Sequence, residues 1–180
     1  MAFARAALKP QDIHLYQCQA WAKFTGEADY TQPLRRDFVN HTLIVSSENP
    51  VNNSETILCY FSDVDEAHGP MHYVTRSDSQ AIAGPEAAFS TDPALQQKLL
   101  PLCRSSATPT GSIFPYGIDI YHRGTNLTAG YGHRYAVMAC FKAAENDRHA
   151  WPFHNTQTCP MSSTTPHQTN SLVLVLRRRE

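Results

Sequence analysis

His122 closes an apolar run, Ile120-Tyr-His122, and the turn-forming residues Arg123-Gly-Thr-Asn126 follow it. Arg134 then opens a second apolar run, Arg134-Tyr-Ala-Val-Met-Ala-Cys-Phe141. A neutral imidazole held at a rigid strand end is a metal ligand in waiting. A guanidinium on the neighbouring strand grips a carboxylate with its planar fork, which is what a dicarboxylate co-substrate requires. The spacing predicts a metal beside an organic dianion, with the two side chains about a hairpin apart. Thr125 and Asn126 lie between them, placed either against the co-substrate or in ordinary hairpin chemistry.

Strands must hold such a pair, and the chain is rich in strand signals. Residues 12–24, 42–45, 56–61, 70–74, 112–121 and 134–142 are short runs of apolar, aromatic and β-branched residues. They are separated by polar, Gly- and Pro-bearing turns, a pattern that argues for a β-sandwich or barrel. The last two runs are expected to pair with each other. One helix is predicted: Asp92 as N-cap, Pro93 at the first helical position, good helix formers over 94–100, and Pro101 as the stop. Residues 155–170 turn to Ser, Thr, Gln and Pro and read as a polar surface segment, followed by a final β-like run over 171–176.

The remaining polar residues carry weaker signals. His68 and His72 straddle a turn and a strand start, but without a partner ligand of known geometry. Asp63, Asp65 and Glu66 read as a solvated turn, because the spaced oxygen ligands of a calcium loop are incomplete. Trp21 and Trp151 read as core or rim residues.

The chain has 180 residues, enough for one domain with a real core; hydrophobic residues are 42% and charged residues 17%, as in globular proteins. A formal net charge of −1 gives no electrostatic case for nucleic acid or an anionic membrane as partner. The five cysteines are scattered, no CxxC occurs, and Cys18, Cys59 and Cys140 sit inside apolar runs, which fits a reducing, cytoplasmic setting. The N-terminus is too short and interrupted for a signal peptide, and no run is long enough to span a bilayer.

Three blocks in order carry a resemblance: residues 28–43 (ADYTQPLRRDFVNHTL), 63–74 (DVDEAHGPMHYV), and 121–128 (YHRGTNLT) with Arg134. Together they resemble the phytanoyl-CoA dioxygenase-like family of iron(II)/2-oxoglutarate oxygenases, over about residues 16–153. The resemblance implies a mainly β, double-stranded β-helix (cupin-like jelly roll) with one or few short helices. The domain would occupy residues 1–154, with 155–180 as a polar tail. It implies Fe(II) and 2-oxoglutarate as cofactors, with O2 and a small organic molecule as substrates and no catalytic residue beyond the metal ligands. Asp37 and His122 match two metal ligands, Arg134 the anchor for the far carboxylate of 2-oxoglutarate, and Thr125 a further co-substrate contact.

One departure has physical weight. The family's first histidine ligand falls at Arg35. A facial triad needs neutral or anionic donors, whereas arginine is a permanent cation with no free lone pair. Three consequences are open: a catalytically inactive relative that binds a small molecule or protein partner, a metal set completed by His41, or a first ligand that falls elsewhere than at position 35.

Overall fold

In the strand Ser54–Tyr60 the residues alternate between buried and half-buried, with Ser54, Thr56, Leu58 and Tyr60 inward. That period of two is what a sheet with one face on a core imposes. The computed structural model describes residues 2–8, 13–26, 29–37, 54–83, 92–143 and, for the backbone alone, 171–172. The expected strand over 42–45, His41, Trp151 and the segment 155–170 lie outside the described residues.

In chain order the elements are α1 (Ala2–Leu8), β1 (Ile13–Phe24), β2 (Ser54–Tyr60), β3 (Met71–Val74), α2 (Arg76–Ala83), α3 (Pro93–Leu99), β4 (Arg104–Ser105), β5 (Ile113–Gly117), β6 (Tyr121–Gly124), β7 (His133–Ala143) and β8 (Ser171–Leu172). They form two antiparallel sheets of jelly-roll type: a five-stranded sheet ordered β5-β2-β7-β1-β8 and a three-stranded sheet ordered β4-β3-β6.

Between the sheets lies an apolar cluster of Leu58, Tyr60, Val64, Met71, Tyr116 and Ala136. The outer face of the larger sheet is covered at one end by α1, where Ala4 and Leu8, one helical turn apart, pack with Ile13 and Phe141. The outer face of the smaller sheet is covered by α2 and α3, which contribute Ile82, Leu95 and Leu99 against Val74 and Tyr121. Helices outside and apolar side chains inside leave the inner faces to hold the site.

The predicted helix is α3, started by the Asp92 carboxylate, which accepts from the Ala94 N–H at 3.0 Å. It is not the sole helix, since α1 and α2 flank the sheets as well. Residues 112–121 do not form the single strand expected from the sequence. A turn over 118–120, closed by Ile120 N–H donating to Gly117 O at 3.1 Å, splits the run into β5 and β6. Arg76 pins this turn by donating from Nε and Nη2 to the Asp119 carboxylate at 2.5 and 2.7 Å. As a result β5 pairs with β2, β6 pairs with β3, and β7 pairs with β1 and β2 rather than with the run before it. His122 and Arg134 therefore reach the interior from different sheets, not across one hairpin.

Candidate functional site

The segment 32–37 lies along the open edge of β6. Arg35 and His122 exchange both backbone hydrogen bonds, at 3.0 and 2.9 Å, and Asp37 N–H donates to Ile118 O at 3.0 Å. Residues opposite each other in such a pair project to the same face, and residues two apart along a strand share a face. Arg35, Asp37 and His122 thus converge on one face. The Asp37 carboxylate stands 3.5 Å from His122 Nε2, and both residues are about 5–6% exposed.

His122 is oriented from behind. Its Nδ1–H donates to the Ile120 carbonyl at 3.0 Å, which leaves the Nε2 lone pair facing Asp37. Burial holds its pKa below the ordinary histidine range; Asp37 and the Ile120 bond oppose that shift, and Arg35 adds to it. The neutral ring packs against Tyr116 at 5.1 Å between centroids, and Phe114 and Tyr73 continue the aromatic wall.

Arg35 points a guanidinium into this arrangement. Its Nη1 donates to Gln32 Oε1 at 2.7 Å, and the same oxygen accepts from Gly124 N–H at 3.1 Å. A side chain on Gly124 would press on that amide, since a Cβ there would stand 3.1 Å from Gln32 Oε1.

The second half of the site centres on Arg134 and on Lys23, which the sequence analysis missed. The two residues face each other directly in the β1–β7 register, and each is 6% exposed. Both donate to the carbonyl of Gly69, Arg134 from Nη1 at 2.8 Å and Lys23 from Nζ at 3.3 Å. Lys23 also donates to the Thr125 carbonyl. The Lys23 ammonium stands 5.2 Å from the Tyr30 ring centroid and the Arg134 guanidinium 5.7 Å from that of Tyr60. Burial, reinforced by the neighbouring Arg134 charge, pulls the Lys23 pKa down to about 7. Arg134 Nε is buried without a hydrogen-bond partner. Among the described residues, neither cation meets a carboxylate.

Two buried like charges side by side, with a donor left over, are a candidate site for an anion. A lysine near the end of a strand otherwise made of apolar and neutral residues was the available signal for Lys23.

Other expected site residues fall as follows. The Thr125 hydroxyl donates to the Pro70 carbonyl at 2.6 Å, and Asn126 Oδ1 accepts from the Tyr30 and Leu127 N–H groups, so both shape the loop between β6 and β7. His68 and His72 each meet an exposed acid, Asp65 at 2.7 Å and Glu66 at 3.0 Å. Asp63 accepts from Thr110 N–H, as a turn residue does. Trp21 lines an open apolar groove of about 350 Å³ with Ala20, Ala22, Phe61, Tyr135 and Val137.

The donor set is the test of whether iron fits. Asp37 and His122 supply two convergent ligands, but the position across from His122 holds a guanidinium. Among the described residues no three His, Cys, Asp or Glu side chains converge to hold a metal. A three-ligand iron centre does not fit these residues. The Lys23–Arg134 pair does fit a carboxylate.

No known protein-family profile matches the sequence, and no curated protein matches it. Solved structures do match the fold. SnoN, a non-haem α-ketoglutarate-dependent epimerase from nogalamycin biosynthesis, superposes with a TM-score of 0.54 at 13% identity, over 79% of this chain and 52% of its own. HygX from Streptomyces hygroscopicus, solved with nickel, 2-oxoglutarate and hygromycin B, gives 0.57 at 12% identity, over 79% and 61%. EctD from S. alaskensis, solved also with bound Fe, gives 0.57 at 11% identity in its apo form, over 79% and 49%. The chain thus spans about half to three fifths of the length of these neighbours, and the likeness is one of fold.

Proposed function

We propose that this chain is a jelly-roll protein of the iron/2-oxoglutarate oxygenase type, of phytanoyl-CoA dioxygenase-like kind. It takes 2-oxoglutarate, or a dicarboxylate like it, at Arg134. The observation that carries this is the buried Lys23–Arg134 pair, which lacks a carboxylate among the described residues and lies on the same jelly roll as His122 and Asp37. With a third ligand in place of Arg35, the activity of such a site would be oxidation of a small organic molecule with O2. Asp37 and His122 are the residues of this chain that would contact iron, and Arg134 the one that would contact the co-substrate.

A second reading, binding of a small molecule or partner without turnover, is favoured by Arg35. Its charge faces the position a third ligand would occupy. Anaerobic titration of Fe(II) with 2-oxoglutarate separates the two, through the visible charge-transfer band that this chelate gives when iron is held. A band in the parent protein supports the oxygenase. Its absence in the parent and appearance in Arg35→His supports a disabled site of the same type. Absence in both, with the fold intact by circular dichroism, overturns the assignment of Asp37 and His122 as metal ligands.

A further inference from the structure

The charges on the inner face favour an anion over a metal ion. Arg35, Lys23, Arg134 and, opposite Ser54 at the other end of β7, Lys142 bring four cations, and Asp37 brings one carboxylate. The balance is positive whether or not Lys23 is protonated, which repels a divalent cation and suits a dianion. Arg36 does not enter this balance, because its guanidinium lies over the Tyr121 ring at 4.3 Å, and Tyr121 packs with α3 on the outer face.

The cations also stand at two ends. The Arg35 guanidinium meets Gln32 Oε1, which also accepts from Gly124 N–H, while the Lys23 ammonium lies on the carbonyl of Thr125 and of Gly69 with Arg134. Separate cations at two places suit a ligand with a carboxylate at each end. Among the described residues the Arg35 side chain meets a neutral amide and no carboxylate. Its fork is held in place by Gln32 and retains donors for a ligand.

We propose that this site binds its dicarboxylate without metal, Arg35 taking the carboxylate that a metal would otherwise chelate and Lys23 with Arg134 taking the other. This rests on Arg134 being a carboxylate anchor, the reading given above. No bond is made or broken in it; the inference concerns binding alone.

Isothermal titration of the full chain with 2-oxoglutarate tests it, once in EDTA and once anaerobically with excess Fe(II). The expected result is binding in EDTA with an affinity that Fe(II) does not raise. Arg35→Gln and Arg134→Gln should each weaken binding in EDTA by about tenfold or more, the effect of losing a charged hydrogen-bond partner. Arg35→His should bind poorly in EDTA and recover when Fe(II) is added. Circular dichroism and melting of each ligand-free variant separate lost binding from lost fold. Should Arg35→Gln not fold, Gln32→Ala, which frees the guanidinium without removing it, should still bind in EDTA. Binding seen with Fe(II) alone, or unchanged in Arg35→Gln yet lost in Arg134→Gln, overturns the inference and leaves the carboxylate anchor standing. Binding that survives Arg134→Gln, or no binding in either condition, overturns the anchor as well.

Discussion

Lys23 sits where a strand residue facing the interior would ordinarily be apolar, and its nearest charged neighbour is another cation. The aromatic rings of Tyr30 and Tyr60 and the carbonyls of Gly69 and Thr125 are what surround the pair. Desolvation and Arg134 both favour the neutral amine, hence a folded-state pKa of about 7, against about 10.4 in an unfolded chain. Between those values the unfolded state binds more protons, so this residue makes stability rise with pH across that window and makes it lowest below pH 7. Lys23→Met removes the term. The melting temperature of the parent should therefore climb from pH 7 to pH 10 relative to that of the variant. Equal slopes in the two proteins, measured by circular dichroism melts, would show that Lys23 is not held in a dry site. The same charge governs ligand affinity: a dianion binds the ammonium form, and binding weakens as pH rises above 7.

At the scale of elements, four of the strands and α3 were legible because each rests on local rules, whereas the two-residue β4 and the break between β5 and β6 were not. β1, β2, β3 and β7 follow runs of strand-forming residues, and α3 follows its Asp-Pro start. The two halves of the site were legible as residue types, His122 and Arg134, but not as an arrangement. What separates them into two sheets is the turn over 118–120 and its Arg76–Asp119 clamp, a contact distant in sequence that no local pattern announces. Lys23 was missed for the same reason, since its meaning comes from standing opposite Arg134. The loops that close the site depend on Gly69. Its φ of +69° lies in the left-handed region, and a Cβ there would stand 2.7 Å from the Thr125 and Asn126 carbonyls. Gly69→Ala should cost at least about 2 kcal/mol, combining left-handed strain with that clash. Thermal melting should show a drop of about 4–8 °C for a chain of this size. An unchanged melting temperature would mean that these loops do not meet as described.

For the whole molecule, the site acts as a tie between the two sheets. Lys23 and Arg134 come from the five-stranded sheet, Gly69 leads into β3, and Thr125 leaves β6. The two buried cations repel each other across the β1–β7 ladder while both hold the loops of the smaller sheet, and a bound dianion offsets that repulsion. The ligand should therefore stabilise the fold as a unit and not merely one loop. Binding to the native state alone adds about 2.7 kcal/mol when the ligand is at a hundred times its Kd. For a domain of this length that corresponds to a rise of about 5–10 °C in melting temperature. Differential scanning fluorimetry with 2-oxoglutarate, with succinate, and with acetate as a monoanion control measures it. The two diacids should raise the melting temperature and acetate should not. An equal shift with all three at matched ionic strength would reduce the effect to general screening of Lys23 and Arg134, and the two-ended character of the site would fall with it.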